Sequence, residues 1–144
     1  MTTSKADAVW HGGLRKGTGE YNAGSGAFSG KYTFPSRFES AGGTNPEELI
    51  AAANAACLSM ALAGAIEASG KTPTRISTNA ACTVEKVEGS FKITKMKLTV
   101  RGVVPGMEPS EFRTAAESAA EGCPVSRAHE GNIAMELDAR LDTA

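Results

Sequence analysis

Three thiols and two imidazoles are the side chains of this chain best suited to chemistry: Cys57, Cys82 and Cys123, with His11 and His129. A metal site is one use for them. The histidines lie near opposite ends of the chain, and neither a C-x-x-C pair nor an H-E-x-x-H run is present, so metal-ligand spacing is missing. A Cys–His hydrolase needs His129 as the base for Cys57, yet "SRAHEGN" around His129 has the composition of an exposed polar loop. A redox pair asks for less: one thiolate nucleophile and a second thiol able to reach it.

The settings of the three cysteines differ. Cys57 sits midway along "NPEELIAAANAACLSMALAGAI", a stretch apolar on nearly every side. Burial there disfavours the thiolate unless a cation stands close by. Cys123 lies between Gly122 and Pro124. A helix opening at Pro124 puts its sulfur at a positive helix terminus, which favours the thiolate. Cys82 alternates with Ile76 and Val84 and reads as a small core residue. A buried cysteine is often only a small hydrophobe, and spacing alone leaves that reading open for Cys57 and Cys123 as well.

The elements that must position these residues are legible. Residues 1–44 are glycine-rich, and "AVWHGG" and "GKYTF" read as short strands, with turns at Gly12-Gly13, Gly24-Ser25-Gly26 and Ser29-Gly30. Gly17 and Gly19 lack the spacing of a phosphate loop. The Cys57 stretch opens with Asn45 as N-cap, Pro46 at the first helical position and Glu48 where a capping box places its acid; Ser69-Gly70 closes it. A hairpin follows, with Ile76, Ala80, Cys82 and Val84 on one face, "EGS" as the turn, and Met96, Leu98 and Val100 on the returning face. Phe91 and Ile93 have the opposite parity, which predicts a bulge or a two-sided strand. A second helix over 109–121 carries the stripe Phe112, Ala115, Ala116, Ala119 and Ala120. The last strand alternates Ile133, Met135, Leu137 and Leu141 with charged residues. The order predicts an α+β fold with antiparallel sheets packed on a long, central, buried helix plus a second helix, and residues 1–144 as a single domain.

Composition narrows the function. At 144 residues and net charge −1 the chain has no basic footprint, so no nucleic acid is expected. "MTTSKADAVW" has no apolar run of the signal-peptide kind. The uncharged span Leu49 to Ile66 raises the question of a membrane, but it is alanine-rich, contains Asn54, Ser59 and Gly64, and lacks basic flanks. A helix apolar all round is also the mark of a soluble core. A cytoplasmic protein with no membrane partner is expected, and an odd, sparse cysteine count there points to reduced thiols and at most a transient disulfide.

"SRFE", "GTNPEELIAAANAAC" and "GCPVSRA", in this order, resemble the OsmC/Ohr family of thiol peroxidases, the OsmC branch in particular. The resemblance covers nearly the whole chain. It implies an OsmC-like fold, an intertwined homodimer with composite sites, and reduction of organic hydroperoxides, with hydrogen peroxide a poorer substrate. It implies Cys57 as the peroxidatic thiol, Cys123 as the resolving thiol, Arg37 as the activating cation and Glu47 as the acid that holds it. It calls for no cofactor and no metal, only an external dithiol reductant. Asn54 stands where relatives often carry His or Tyr and cannot act as a base; Cys82 lies outside the family pattern.

Helix geometry sharpens the dimer expectation. Glu47 and Cys57 are ten residues apart on one helix, which separates them by ~15 Å along its axis and turns them to different faces. An antiparallel second copy of the helix would bring Glu47 of one chain to Cys57 of the other. Two other functions remain open from the residues alone: a non-catalytic dimer that binds a hydrophobic ligand, and a thiol hydrolase using Cys57 with His129.

Overall fold

The computed structural model describes residues 1–143. The chain falls into two compact units, Met1–Glu48 and Leu49–Ala144.

The first unit is an antiparallel sheet in the order β1 (Ala6–His11), β2 (Thr18–Ala23), β3 (Ser29–Tyr32), followed by a short helix α1 (Phe34–Phe38). Trp10, Tyr32, Tyr21 and Phe28 stack in that order on the sheet, with successive ring centroids 5.5 to 6.5 Å apart. The turn expected at Ser29-Gly30 is instead the start of β3. Gly30 pairs with Tyr21, and a Cβ there would collide with the Tyr21 ring, so this glycine serves a close approach and not a bend. Helix α1 has no counterpart in the sequence reading. Thr33 caps it, accepting from the Ser36 N–H while Ser36 Oγ accepts from the Thr33 N–H.

Helix α2 (Pro46–Ala68) starts at the end of this unit and forms the spine of the second. Asn45 Oδ1 accepts the Glu48 N–H at 2.8 Å, as an N-cap should. At the far end Gly70 takes φ of 84°, its N–H bonds Glu67 O, and the Lys71 N–H bonds Ile66 O, a Schellman closure. Asn54, Leu58, Leu62 and Ile66, four residues apart, are fully buried. They pack toward Met96, Leu98 and Val100 of the second sheet and Phe112 and Ala116 of the second long helix.

The buried part of α2 is this inner row; Ala52, Ala53, Ala56, Met60 and Gly64 lie on exposed ground. By length and composition α2 could cross a membrane, but its inner face is the hydrophobic core of the second unit.

The predicted hairpin is β4 (Arg75–Val87) and β5 (Ser90–Val103), closed by Glu88 and Gly89, both at positive φ. The bulge anticipated from the Phe91/Ile93 parity is present: Thr83 faces Lys95 and Val84 faces Ile93, so Thr94 is skipped. The second predicted helix is α3 (Pro109–Gly122), with Phe112, Ala116 and Ala119 buried. Helix α4 (Pro124–His129) follows, then β6 (Ala134–Leu141).

Not every strand pair is antiparallel, as had been expected. β6 lies beside β5 in parallel register, Met96 opposite Met135 and Val100 opposite Ala139. The chain leaves β5 and crosses over through α3 and α4, so it re-enters the sheet in the same direction. The α+β class holds.

Candidate active site

Cys57 projects from the middle of α2, on the turn between Asn54 and Leu58, and is half-buried. Cys123 is fully buried. It is at once the C-cap of α3, where its N–H bonds Ala119 O at 2.8 Å, and the N-cap of α4. Gly122 ends one helix, Pro124 opens the next, and the sulfur is left at the junction. The alanine stripe of α3 seats that junction against the core, and the inner row of α2 fixes the angle from which Cys57 reaches it.

The two sulfurs are 2.7 Å apart, closer than non-bonded contact, and both cysteines are reduced. A disulfide at ~2.05 Å needs little further approach. The pair competes for one proton. Burial pushes the Cys57 thiol up, its hydrogen bond with Cys123 adds to this, and a backbone contact from Val125 opposes it. Burial also works against ionising Cys123, but hydrogen bonds from Cys57, from the Ser126 backbone and hydroxyl, and from the Val125 backbone together bring it down. Within one chain Cys123 is therefore the easier of the two thiols to ionise.

His129 joins this neighbourhood, but not as a partner of Cys57. Its Nδ1 faces Asn54 Oδ1 at 3.2 Å. Asn54 Nδ2 donates to Ser126 Oγ at 3.0 Å. The sequence reading named Asn54 and His129 without joining them, and passed over Ser126. The polar Asn54 within an otherwise apolar helix was the available signal, since a buried amide must find partners. Among the described residues no cluster of three His, Cys, Asp or Glu side chains is placed to hold a metal.

Arg37 and Glu47 meet in the first unit. Arg37 stands in the last turn of α1, and Glu47 in the first turn of α2, 4% exposed. Arg37 Nε donates to Glu47 Oε1 and Oε2 at 3.0 and 3.2 Å, and Nη2 donates to Oε1 at 2.7 Å. The guanidinium rests 4.9 Å from the Phe38 ring centroid, yet the side chain stays 38% exposed. Neighbouring Glu48 is exposed and contributes its backbone N–H to the Asn45 cap. Of the two adjacent acids, Glu47 holds a cation with its carboxylate, while Glu48 serves the cap with its backbone N–H. Cys82 is half-buried on β4 opposite Met96, packed against the core.

The family model for OsmC-like proteins matches residues 39–138. The chain is 42% identical over 133 residues to peroxiredoxin OsmC of Escherichia coli strain K12, covering 92% of this chain and 93% of that protein. It is 36% identical over 114 residues to the organic hydroperoxide resistance protein of Xanthomonas axonopodis pv. citri, covering 77% and 78% of the two chains. A solved structure from Legionella pneumophila, an organic hydroperoxide resistance protein OsmC, matches with a TM-score of 0.76 at 26% identity, over 97% of this chain and 98% of that one. In fold and in sequence over most of its length, the chain belongs to the OsmC-like protein family.

Proposed function

We propose that this chain is a cysteine-based peroxidase that reduces organic hydroperoxides to alcohols, and hydrogen peroxide less efficiently. The observation that carries the reading is the 2.7 Å separation of the Cys57 and Cys123 sulfurs; the names of the relatives point the same way.

The Cys57 thiolate attacks the distal oxygen of R–O–OH. The O–O bond breaks, the alkoxide takes a proton to leave as alcohol, and Cys57 becomes a sulfenic acid. Cys123 attacks that sulfur, hydroxide leaves with a proton as water, and a Cys57–Cys123 disulfide forms. An external dithiol restores both thiols by exchange. Around Cys57 on α2, Ala53 and Met60 are exposed and apolar, a surface on which an alkyl group gains by leaving water. That favours organic hydroperoxides.

Cys57 must carry the charge at the moment of attack, whereas within one chain burial and its partner push the Cys57 thiol up. A cation is needed to bring it down. Arg37, held in place by Glu47, is the cation we assign, delivered by a second copy of the chain. The exposed face of α2, from Ala52 to Gly64, is small and apolar enough for a close antiparallel approach. We therefore infer a homodimer with two shared sites, each chain acting as one domain, working in the cytoplasm where its thiols stay reduced.

Mixing reduced protein with cumene hydroperoxide should remove two thiols per chain and yield a linked Cys57–Cys123 peptide by mass spectrometry. No thiol loss would reject the peroxidase and favour a passive ligand-binding role. A fully active monomer in sedimentation would reject the shared site.

A further inference from the structure

Helix α4 carries Cys123 at its N-cap and keeps that sulfur beside Cys57, yet it has little apolar hold on the molecule. Ser126 is its one buried residue, and among the described residues no side chain of α4 belongs to the hydrophobic core. Its two ends are tied along the chain: the Cys123 N–H bonds Ala119 O at 2.8 Å, and the Ile133 N–H bonds His129 O at 3.0 Å. Neither bond sets the distance from α4 to α2. Both cysteines are reduced, so no covalent bond sets it either.

The hold comes from the inner row of α2. Asn54 is fully buried where Leu58, Leu62 and Ile66 continue the row, and it stands about one turn before Cys57. Both ends of its amide reach α4. The amide nitrogen donates to Ser126 Oγ at 3.0 Å. The amide oxygen only accepts, so His129 Nδ1, 3.2 Å away, carries the hydrogen. Ser126 and His129 are three residues apart, hence neighbours on one face of α4, and Ser126 is three residues after Cys123. A single bond would let α4 swing about it. Two directional bonds to one face fix both its distance and its rotation. Breaking either leaves a polar group of a buried amide unpaired, which opposes release.

We propose that Asn54 is a two-pronged clamp between α2 and α4, gripping Ser126 and His129 so that the helix capped by Cys123 stays in register with Cys57; the three are positioning residues for closing the disulfide. That this disulfide belongs to peroxide turnover rests on the peroxidase reading. The clamp itself rests on the two amide bonds and the helix they share.

In a Cys82→Ser background, Cys57 and Cys123 are the remaining thiols of three. Equilibration with reduced and oxidised glutathione then measures their closure without peroxide. The two protein thiols pass two hydrogens to one glutathione disulfide, which leaves as two glutathione thiols, and the protein disulfide forms. Without the clamp the reduced protein gains open arrangements that closure must remove, so the equilibrium constant falls. Asn54→Leu keeps a branched side chain but neither polar end, and should lower the constant about tenfold, or about 30 mV. Ser126→Ala and His129→Leu each break one prong and should lower it about threefold. Ser126→Thr keeps the hydroxyl, His129→Gln keeps a donor, and both should restore it. Leu62→Ala, about two turns further along the same row, weakens the core without touching the clamp and should leave the constant unchanged. Should Asn54→Leu fail to fold, the Ser126 and His129 variants decide the matter. Unchanged constants in Ser126→Ala and His129→Leu would overturn the clamp, and so would an equal fall in Leu62→Ala.

One equivalent of cumene hydroperoxide followed by dimedone trapping reads the same closure from the oxidised side. The Cys57 sulfenic acid should live about tenfold longer in Asn54→Leu, in step with the lost proximity of Cys123; an unchanged lifetime would count against the clamp. If the parent protein loses no thiol to the hydroperoxide, the peroxidase reading has failed, and the glutathione equilibrium still judges the clamp by itself.

Discussion

In the first unit a charge is kept at the surface by a buried partner: the Arg37 side chain is 38% exposed, while the Glu47 side chain that holds it is buried. In the second unit the arrangement is inverted. The reactive atoms themselves are inside, Cys123 fully buried and Cys57 half so, and the polar side chains of Asn54 and Ser126, bonded to each other, are buried too. A cation loses little by staying wet and gains reach. A thiol that must be oxidised and then bridged gains from a fixed partner and from the exclusion of competing nucleophiles. The contrast teaches a division of labour: an exposed cation anchored by a buried acid, and a closely set sulfur pair that lacks only the charge to start.

The sharpest way to break this comparison is at the sulfurs. Cys57→Ser should abolish turnover of cumene hydroperoxide. Cys123→Ser should still reduce one equivalent per chain and then stop with a trapped sulfenic acid, visible by mass spectrometry. A Cys57→Ser protein that turns over at the parent rate would remove the reason for the buried pair. Next comes the cation. Arg37→Met should lower kcat/KM by ~10²–10³-fold, the usual consequence of losing a preorganised charge at a reacting centre. Glu47→Gln retains one acceptor oxygen and should cost about tenfold, since the guanidinium stays present but loses its bidentate seat. If Glu47→Gln hurts more than Arg37→Met, the carboxylate is acting in its own right and the anchoring account is wrong.

The two units should also differ in stability. Leu62 is fully buried on the inner row of α2, and Leu62→Ala should cost about 2–5 kcal/mol in denaturant unfolding, transfer and cavity together. Phe28, at the edge of the aromatic stack of the first unit, is 55% exposed, and Phe28→Ala should cost under about 1.5 kcal/mol. Gly102→Ala falls between them. A Cβ there would run into the Phe112 ring, and overpacking of this kind costs about 1–3 kcal/mol. Equal losses at Leu62 and Phe28 would erase the distinction between a packed core and a surface stack.

How much of this could be read beforehand depended on how local the signal was. The α2 caps, the Glu88-Gly89 turn, the Thr94 bulge and the α3 stripe are each written within a dozen residues, and each is where the pattern put it. Helix α1 escaped because five residues leave no periodicity to detect; only Thr33, Pro35 and Ser36 announced it. The parallel pairing of β6 escaped because strand direction is set by the crossover path, which the strand's own residues do not encode. Within the site, residue types pointed to the thiols, and the family motifs singled out Arg37 and Glu47. The contacts of Asn54 with Ser126 and His129 span 72 and 75 residues, so no local pattern could join them.

The smallest predicted effect lies at Asn45, and it probes how the anchored charge of the first unit is set up. Asn45 does two things with one side chain: Oδ1 accepts the Glu48 N–H at 2.8 Å, and Nδ2 donates to Ser36 O at 3.1 Å, tying the start of α2 to α1, which carries Arg37. Asn45→Ala removes both and should cost ~1 kcal/mol, the usual worth of an N-cap. Asn45→Asp keeps the cap, and its charge suits the helix N-terminus, but it cannot donate to Ser36. If the cap alone matters, the Asp variant will melt like the parent and keep full activity. If the tether to α1 also matters, the Asp variant will be stable but slower with peroxide, because the register between Arg37 and Glu47 has loosened. That second outcome is the one expected, since the 2.7 Å contact between Arg37 and Glu47 joins these same two helices and depends on their spacing.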